Sequence, residues 1–321
     1  MDENEVKQRY GMIYTVTLNP AVDKTVVINE FSVGNVNRVS SIRLDAGGKG
    51  INVSKVIASL GGRSIAMGIL GGASGSFVKD YLDNRGIEND FLFINGETRT
   101  NLKVIDSVRC TNTDINEPGP CVSVNDLDIL QQKLLDKAGH KSIVVFSGSV
   151  PDNVDKTIYA RWIEAVKRKG GKAVLDADRE LLKNGIKAGP YLVKPNIHEL
   201  GQLFDTVIEE AGQAERYARR LVEDFGIELA VVSLGDKGAL FVDKTRSLLA
   251  HGLKVGVKST VGAGDALVAA IAYSMDTGAG FEESARLATA CSAANVTTSG
   301  TQAADRSLID ELQGQVMLEY L

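Results

Sequence analysis

The chain is poor in the residues that would tie it to a cell exterior, a membrane or a nucleic acid. Of 321 residues only three are cysteine, Cys110, Cys121 and Cys291. Their spacing matches no metal-ligand motif, and so odd and sparse a count points to free thiols in a reducing compartment. Prolines number six, and no Pro-rich or low-complexity tract divides the chain. The longest apolar run, 266–273, is far short of the roughly 20 residues that span a bilayer. Segment 1–11 is polar and charged and lacks the apolar core of a signal peptide. It reads as a flexible extension of a soluble, cytoplasmic protein. A basic excess is missing too: the formal net charge is −5, which argues against a nucleic-acid surface but leaves room for a small anion held by a few local cations. Two nucleotide signatures are also absent. No Gly-x4-Gly-Lys-Ser/Thr occurs, and no Gly-x-Gly-x-x-Gly follows the first strand, which counts against a dinucleotide-dependent dehydrogenase.

What is present is a core-forming composition, 44% hydrophobic and 24% charged. Residues 12–18 (MIYTVTL) read as a buried strand that stops at Asn19-Pro20, with Asp23 on the loop beyond it. Segments about 24–44 and 91–124 alternate apolar and polar residues, as strands with one wet face do. They predict a small β-sheet lid that closes over a ligand. From residue 125 onward apolar strands alternate with helical patterns, the last helices falling at 265–275, 281–297 and 305–319. That order predicts an α/β fold, a Rossmann-like three-layer sandwich with a mainly parallel sheet covered on both faces. The natural reading is one domain over 12–321. Polar and glycine residues recur just after the strands, which puts a ligand site on one rim.

Two stretches resemble anion sites. In Lys258–Ala270, Gly262 and Gly264 precede an Ala-rich helix whose positive end faces bare backbone amides. Asp265 falls in the first turn. There it either caps the helix or accepts a proton from an attacking hydroxyl beside a phosphate. In Asp45–Val53, three glycines and Lys49 precede a helix-like run over 53–60, with Asn52 able to bond sugar hydroxyls. Arg99, Asn101 and Lys103 alternate, so all project from one face of a strand, either as a clamp for an anionic substrate or as a charged edge. The candidates sort into two clusters. Asp23, Gly48, Lys49, Asn52, Arg99, Asn101 and Lys103, with Ser149, suit a phosphorylated sugar. Lys194, Asn196, Glu199, Ser233, Gly235, Gly238, the Gly262–Asp265 turn and Asn295 suit a nucleotide phosphate chain with Mg²⁺, for which Glu199 is the best carboxylate. His198 reads as a surface residue and Cys291 as core.

Seven of these stretches occur in one order: Thr17–Asp23, Gly47–Ser54, Gly96–Lys103, Ser147–Pro151, Lys194–Leu200, Ser233–Gly235 and Thr260–Asp265. Together they resemble the ribokinase-like (PfkB) family of carbohydrate kinases, from Met12 to near Glu319. The Thr-Arg-x-Asn-x-Lys strand followed by residues 113–120 is most similar to the subgroup that phosphorylates sugar phosphates. The resemblance implies transfer of the ATP γ-phosphoryl group to the 6-hydroxyl of fructose 1-phosphate. It implies Asp265 as base and Gly262, Ala263 and Gly264 as an anion hole. Asp23, Gly48 and Asn52 would hold sugar hydroxyls, and Lys49, Arg99 and Lys103 the existing phosphate. Lys194, Ser233, Gly235 and Asn295 would line the ATP site, and Asn196 and Glu199 would organise Mg²⁺. Relatives pair lid against lid, which implies a homodimer. Ala266 and Asp176-Ala177-Asp178 depart from the family's usual Ser and Asp-x-Ser-Gly. Tagatose 6-phosphate and fructose 6-phosphate remain as alternative substrates, and a catalytically silent sugar-phosphate sensor as an alternative of another class.

Overall fold

Alternation along the buried strands sets the layers. In β1 (Ile13–Thr17) every residue is buried, with Tyr14 and Val16 in one apolar cluster and Ile13 in the other. Strand β9 (Ile143–Ser147) repeats the pattern: Val144 and Phe146 face one way, Ile143 and Val145 the other. A strand with helices on both faces buries both sets of side chains, and the polar residues that β1 carries, Thr15 and Thr17, are buried with the rest, Thr15 Oγ1 sharing a 2.8 Å hydrogen bond with Ser54 Oγ. The computed structural model describes residues 11–321. Apart from Gly11, the extension expected over 1–11 lies outside the described residues.

The remaining strands are β2 (Ala21–Ile28), β3 (Val39–Gly47), β4 (Ser64–Gly71), β5 (Glu88–Asn89), β6 (Leu92–Ile94), β7 (Arg99–Asp106), β8 (Thr111–Asn116), β10 (Lys172–Asp176), β11 (Leu192–Val193), β12 (Leu229–Ser233), β13 (Gly238–Val242), β14 (Ser247–His251) and β15 (Leu318–Tyr320). The large sheet runs β15-β14-β13-β12-β11-β10-β9-β1-β4-β5, with β6 also on β4. It is parallel from β12 through β5 and antiparallel from β12 to β15. Beside β1 the order reverses direction, the point where open α/β sheets leave a crevice at their carboxyl ends. The helices used below are α1 (Lys49–Ser59), α2 (Gly72–Asp83), α3 (Val124–Lys137), α4 (Ile158–Arg168), α5 (Arg179–Gly185), α6 (Ile197–Leu203), α7 (Ala211–Phe225), α8 (Ala263–Thr277), α9 (Phe281–Asn295) and α10 (Arg306–Gln313). Buried alanines at 266, 269, 270 and 272 allow α8 to lie close to α1 and α9.

A four-stranded sheet, β3-β2-β7-β8, stands apart. Its strands come from 21–47, a little wider than the expected 24–44, and from 99–116, narrower than the expected 91–124. Leu92–Ile94 pairs with β4 of the large sheet instead. Asp23 lies inside β2, not on a loop, because β2 starts directly after Pro20. The last expected helix, 305–319, stops at Gln313. Residues 318–320 turn back to pair with β14. Among the described residues no helix is long and apolar enough to cross a membrane.

Candidate active site

Both glycine-led helix starts open onto one cleft. Gly48 precedes α1 with φ +115, and a Cβ there would come within 2.7 Å of Thr17 Cγ2 at the end of β1. Only glycine permits that approach and that backbone. Gly262 precedes α8 with φ +85, and neither helix start has a side-chain cap. Their first amides are therefore left for a ligand. The Ala263 N–H turns back toward Thr260 O at 3.4 Å.

A cavity of about 630 Å³ joins the starts of α1 and α8. The residues expected at a sugar site and those expected at a nucleotide site share it. Asp23, Gly48, Lys49, Asn52, Arg99, Asn101, Lys103, Ser149, Lys194, Asn196, Glu199, Ser233, Gly262, Gly264 and Asp265 all line it. Ala263, Gly235, Gly238 and Asn295 are not in its lining. Gly238 opens β13, and its Cα packs directly against Ala250 of the next strand and Gly252 just beyond it, which accounts for the glycine. Gly235 sits in the short 3-10 turn ahead of it. Asn295 lies behind the turn, with its Nδ2 3.1 Å from the position a Gly262 Cβ would take.

At the centre, Asn52 Nδ2 donates to Asp265 Oδ2 at 2.8 Å. Burial, then the nearby Asp176 charge, pushes the Asp265 carboxyl up to about 6, against the pull of Lys49 and the Asn52 bond. Lys49 Nζ and Lys194 Nζ converge on a single oxygen, Asp176 Oδ1, at 3.3 and 3.2 Å. Burial alone would raise the Asp176 pKa, but the two ammonium groups outweigh it and hold the carboxyl below its ordinary range. Asp176 in turn raises Lys49, which stays charged. Lys49 and Lys194, expected in different subsites, are thus neighbours. The second oxygen of Asp176 is buried without a protein partner.

One wall of the cavity is the small sheet, where the residues expected at a sugar site lie. Asn101 Nδ2 donates to Asp23 Oδ1 at 3.0 Å across β7 and β2. Burial raises Asp23, opposed by that bond and by Lys55 and Arg99. Arg99 donates to the carbonyls of Asn19 and Glu117 at 3.1 and 3.2 Å, while its Nε is buried without a partner. Lys103 pairs with Asp114 of β8 at 3.5 Å.

On the opposite wall Asn196 and Glu199 cap α6 reciprocally. Asn196 Oδ1 accepts from the Glu199 amide at 2.8 Å, and Glu199 Oε2 accepts from the Asn196 amide at 2.8 Å. Glu199 Oε1 makes no protein hydrogen bond among the described residues. No group of three or more His, Cys, Asp or Glu that could hold a metal ion occurs among the described residues. A single free carboxylate oxygen fits Mg²⁺ that keeps its waters and takes phosphate oxygens, and does not fit a protein-caged metal.

Sequence reasoning missed Asp45, Asp114, Asn116, Asp176, Asp178 and Thr301 in the lining. Asp176 was accessible to the rule that picked Asp23, since it ends a buried strand on the ligand-bearing rim.

Comparisons with known proteins show the family. The model of the pfkB family carbohydrate kinases matches residues 16–307. The chain is 37% identical over 284 residues to the 1-phosphofructokinase of Borreliella burgdorferi, covering 88% of this chain and 91% of that one. It is 33% identical to the 1-phosphofructokinase of Vibrio cholerae, covering 96% and 97%. Among solved structures, phosphofructokinase-2 from Escherichia coli in complex with fructose-6-phosphate superposes with a TM-score of 0.90 at 27% identity, covering 95% of this chain and 99% of that one.

Proposed function

The chain belongs to the pfkB family of carbohydrate kinases and is a phosphotransferase, and on that premise we propose that it phosphorylates fructose 1-phosphate at the 6-hydroxyl, giving fructose 1,6-bisphosphate. ATP is the phosphoryl donor that membership implies. One observation carries the reading: Asp265, a buried carboxylate pushed up to about 6, stands at an uncapped helix start in the same cleft as the Arg99–Asn101–Lys103 face and the Lys49–Lys194 pair.

Asp265 accepts the proton of the attacking hydroxyl as its oxygen bonds the γ-phosphorus and the bond to the bridging oxygen of ADP breaks. Asn52 keeps the carboxylate aimed by holding one of its oxygens. The amides of Gly262 and Gly264 meet charge on the transferring group, and Lys49 and Lys194 neutralise the phosphates around it. Asp23, Gly48, Asn52, Asn101 and Ser149 take the sugar hydroxyls, and Arg99 and Lys103 the 1-phosphate. Lys194, Asn196 and Ser233 line the nucleotide side, with Ala263, Gly235, Gly238 and Asn295 supporting it from outside the cavity. Glu199 would hold Mg²⁺ through Oε1, which supplies countercharge to the phosphates when bound.

The small sheet acts as the lid of one kinase domain over 12–321. Ile42, Leu44 and Ile115 leave apolar side chains exposed on it (60%, 44% and 54%), a surface suited to a second copy of this chain. Light scattering checks the dimer, and Ile42→Lys should give a monomer. A coupled ADP-release assay on fructose 1-phosphate, tagatose 6-phosphate and fructose 6-phosphate tests the reaction. The highest kcat/KM belongs to fructose 1-phosphate. A preference for either 6-phosphate moves the substrate while keeping the chemistry, and binding without turnover on all three overturns the kinase reading.

A further inference from the structure

Lys55 lies one turn along α1 from Asn52, with its side chain buried beneath the cleft. Its Nζ donates to Ala46 O at 2.9 Å and to Thr301 Oγ1 at 3.2 Å. The ammonium also lies over the Tyr81 ring, 5.9 Å from its centroid. Burial lowers the amine to about 8, opposed by Asp45 and Asp23. A buried amine is costly, and a methionine of similar length would fill the space more cheaply. What methionine would lose is the pair of bonds.

Those bonds join two parts of the site. Ala46 is on β3, next to Asp45, which stands opposite Asp23 in the β2–β3 register. Arg43 Nε donates to Asp45 Oδ2 at 2.7 Å. The same guanidinium presses on Gly300, where any Cβ would collide with it. Thr301 borders the other part: its Cα is 3.9 Å from the position of a Gly262 Cβ. Gly300 and Thr301 are thus gripped by Lys55 and Arg43 on one side and abut the anion-binding turn on the other.

We propose that Lys55 is a positioning residue for phosphoryl transfer: by tying Ala46 of β3 to Thr301, it locks the sugar-binding sheet and the Gly262–Asp265 turn into one alignment. The proposal rests on the kinase reading. It gives the buried charge a registry role, the use best attested for such groups.

The test is steady-state kinetics on the full chain for Lys55→Met, Lys55→Arg, Thr301→Val and the Lys55→Met/Thr301→Val double variant. Melting temperature and ATP affinity are measured alongside. Lys55→Met should lower kcat by about tenfold or more while the sugar-phosphate KM and ATP affinity move by less than about threefold. Lys55→Arg should recover much of that loss. The double variant should be no slower than Lys55→Met, because both changes cut one link. Normal kcat in a folded Lys55→Met protein with only a lower melting temperature overturns the proposal, as do losses that multiply in the double variant. If Lys55→Met does not fold, normal kcat in Thr301→Val overturns it. Hydrogen exchange at Gly300–Gln302 reads the link without turnover: protection should fall in Thr301→Val, and unchanged protection counts against the link even if the wild-type protein phosphorylates none of the three sugars. Wild-type inactivity on those sugars brings down the kinase reading alone.

Discussion

Asn52 and Asp265, 213 residues apart, are joined by a 2.8 Å hydrogen bond at the floor of the cleft. Each sits just inside a helix that a glycine opens, so one contact fixes the two anion-friendly helix starts relative to each other. Asp265→Asn keeps an oxygen able to accept from Asn52 but cannot take a proton. Its kcat should fall by about 10²–10⁴-fold with ATP affinity nearly unchanged, as read by turnover and calorimetry. Near-normal turnover would remove Asp265 from the chemistry.

The raised pKa of that carboxyl fixes an acid limb. Turnover by kcat/KM should decline as pH falls through about 6, because protonated Asp265 cannot serve as base. Stability runs the other way. The folded protein holds the Asp265 proton more tightly than the unfolded chain does, so this group's contribution is present below the ordinary carboxyl pKa of 3.8 and lost as pH rises toward about 6. At pH 8 Asp265→Asn should therefore be the more stable protein, by on the order of 2 kcal/mol in urea unfolding. Equal stability at pH 8 would mean that the carboxylate carries little desolvation cost.

Asp176 is the shared counterion of Lys49 and Lys194. Asp176→Asn leaves two ammonium groups side by side, one of them buried. Unfolding free energy at pH 7 should drop by about 3 kcal/mol, and phosphate-bearing ligands should recover part of it by mass action. No loss of stability would show that the lysines do not depend on this carboxylate.

Glu199 caps α6 and is proposed to hold Mg²⁺, and one substitution separates the two roles. Glu199→Gln keeps an oxygen for the Asn196 amide, so the cap and the melting temperature should hold. The Mg²⁺ concentration for half-maximal rate should rise about tenfold. Glu199→Ala should lose both. An unchanged Mg²⁺ requirement in Glu199→Gln would take this residue out of metal binding.

Gly262→Ala should be impaired for a backbone reason. Its φ of +85 disfavours any side chain, and a Cβ would crowd Asn295 Nδ2 at 3.1 Å. A stability loss of about 1–2 kcal/mol is expected, with a larger relative loss in kcat than in KM as the turn shifts. A crystal structure of the variant with an unmoved turn and full activity would contradict this.

What was legible in the sequence was local. The strand 12–18, the glycine-led entries to helices expected at 53–60 and 265–275, and the single-face alternation of Arg99, Asn101 and Lys103 follow from backbone chemistry and period alone, though the helices begin earlier, at Lys49 and Ala263. What failed was partner choice. Leu92–Ile94 reads as a strand, but nothing in three residues says that it pairs with β4 and not with β7. Asn19-Pro20 ends β1, yet it is a corner into a second sheet and not a loop, so Asp23 was misplaced by the same local cue that located it. Gly238 has the signature of a ligand loop, but its φ of +103 and the Ala250 and Gly252 backbone that a Cβ would strike where β13 pairs with β14 account for the glycine. Asp176 was open to the strand-end rule that picked Asp23, but its part as shared counterion was not, because Lys49 and Lys194 are distant in sequence and only the fold brings them to it.

The parallel register of β2 on β7, with Ala21 opposite Arg99, bears on how the protein is made. A parallel pair cannot form as a local hairpin. Here α1, β4 and α2 intervene, so the pairing waits until that α/β unit has docked. The small-sheet wall of the cleft is then a late product of folding. β3 and β8 are the edges of the finished sheet, and a chain held up part-way would also expose the unpaired edges of β2 and β7, which makes this small sheet the place where misassembly between nascent copies begins. Pulse-labelled hydrogen exchange during refolding would find the β2–β7 pairing protected after the local antiparallel pairs β2–β3 and β7–β8.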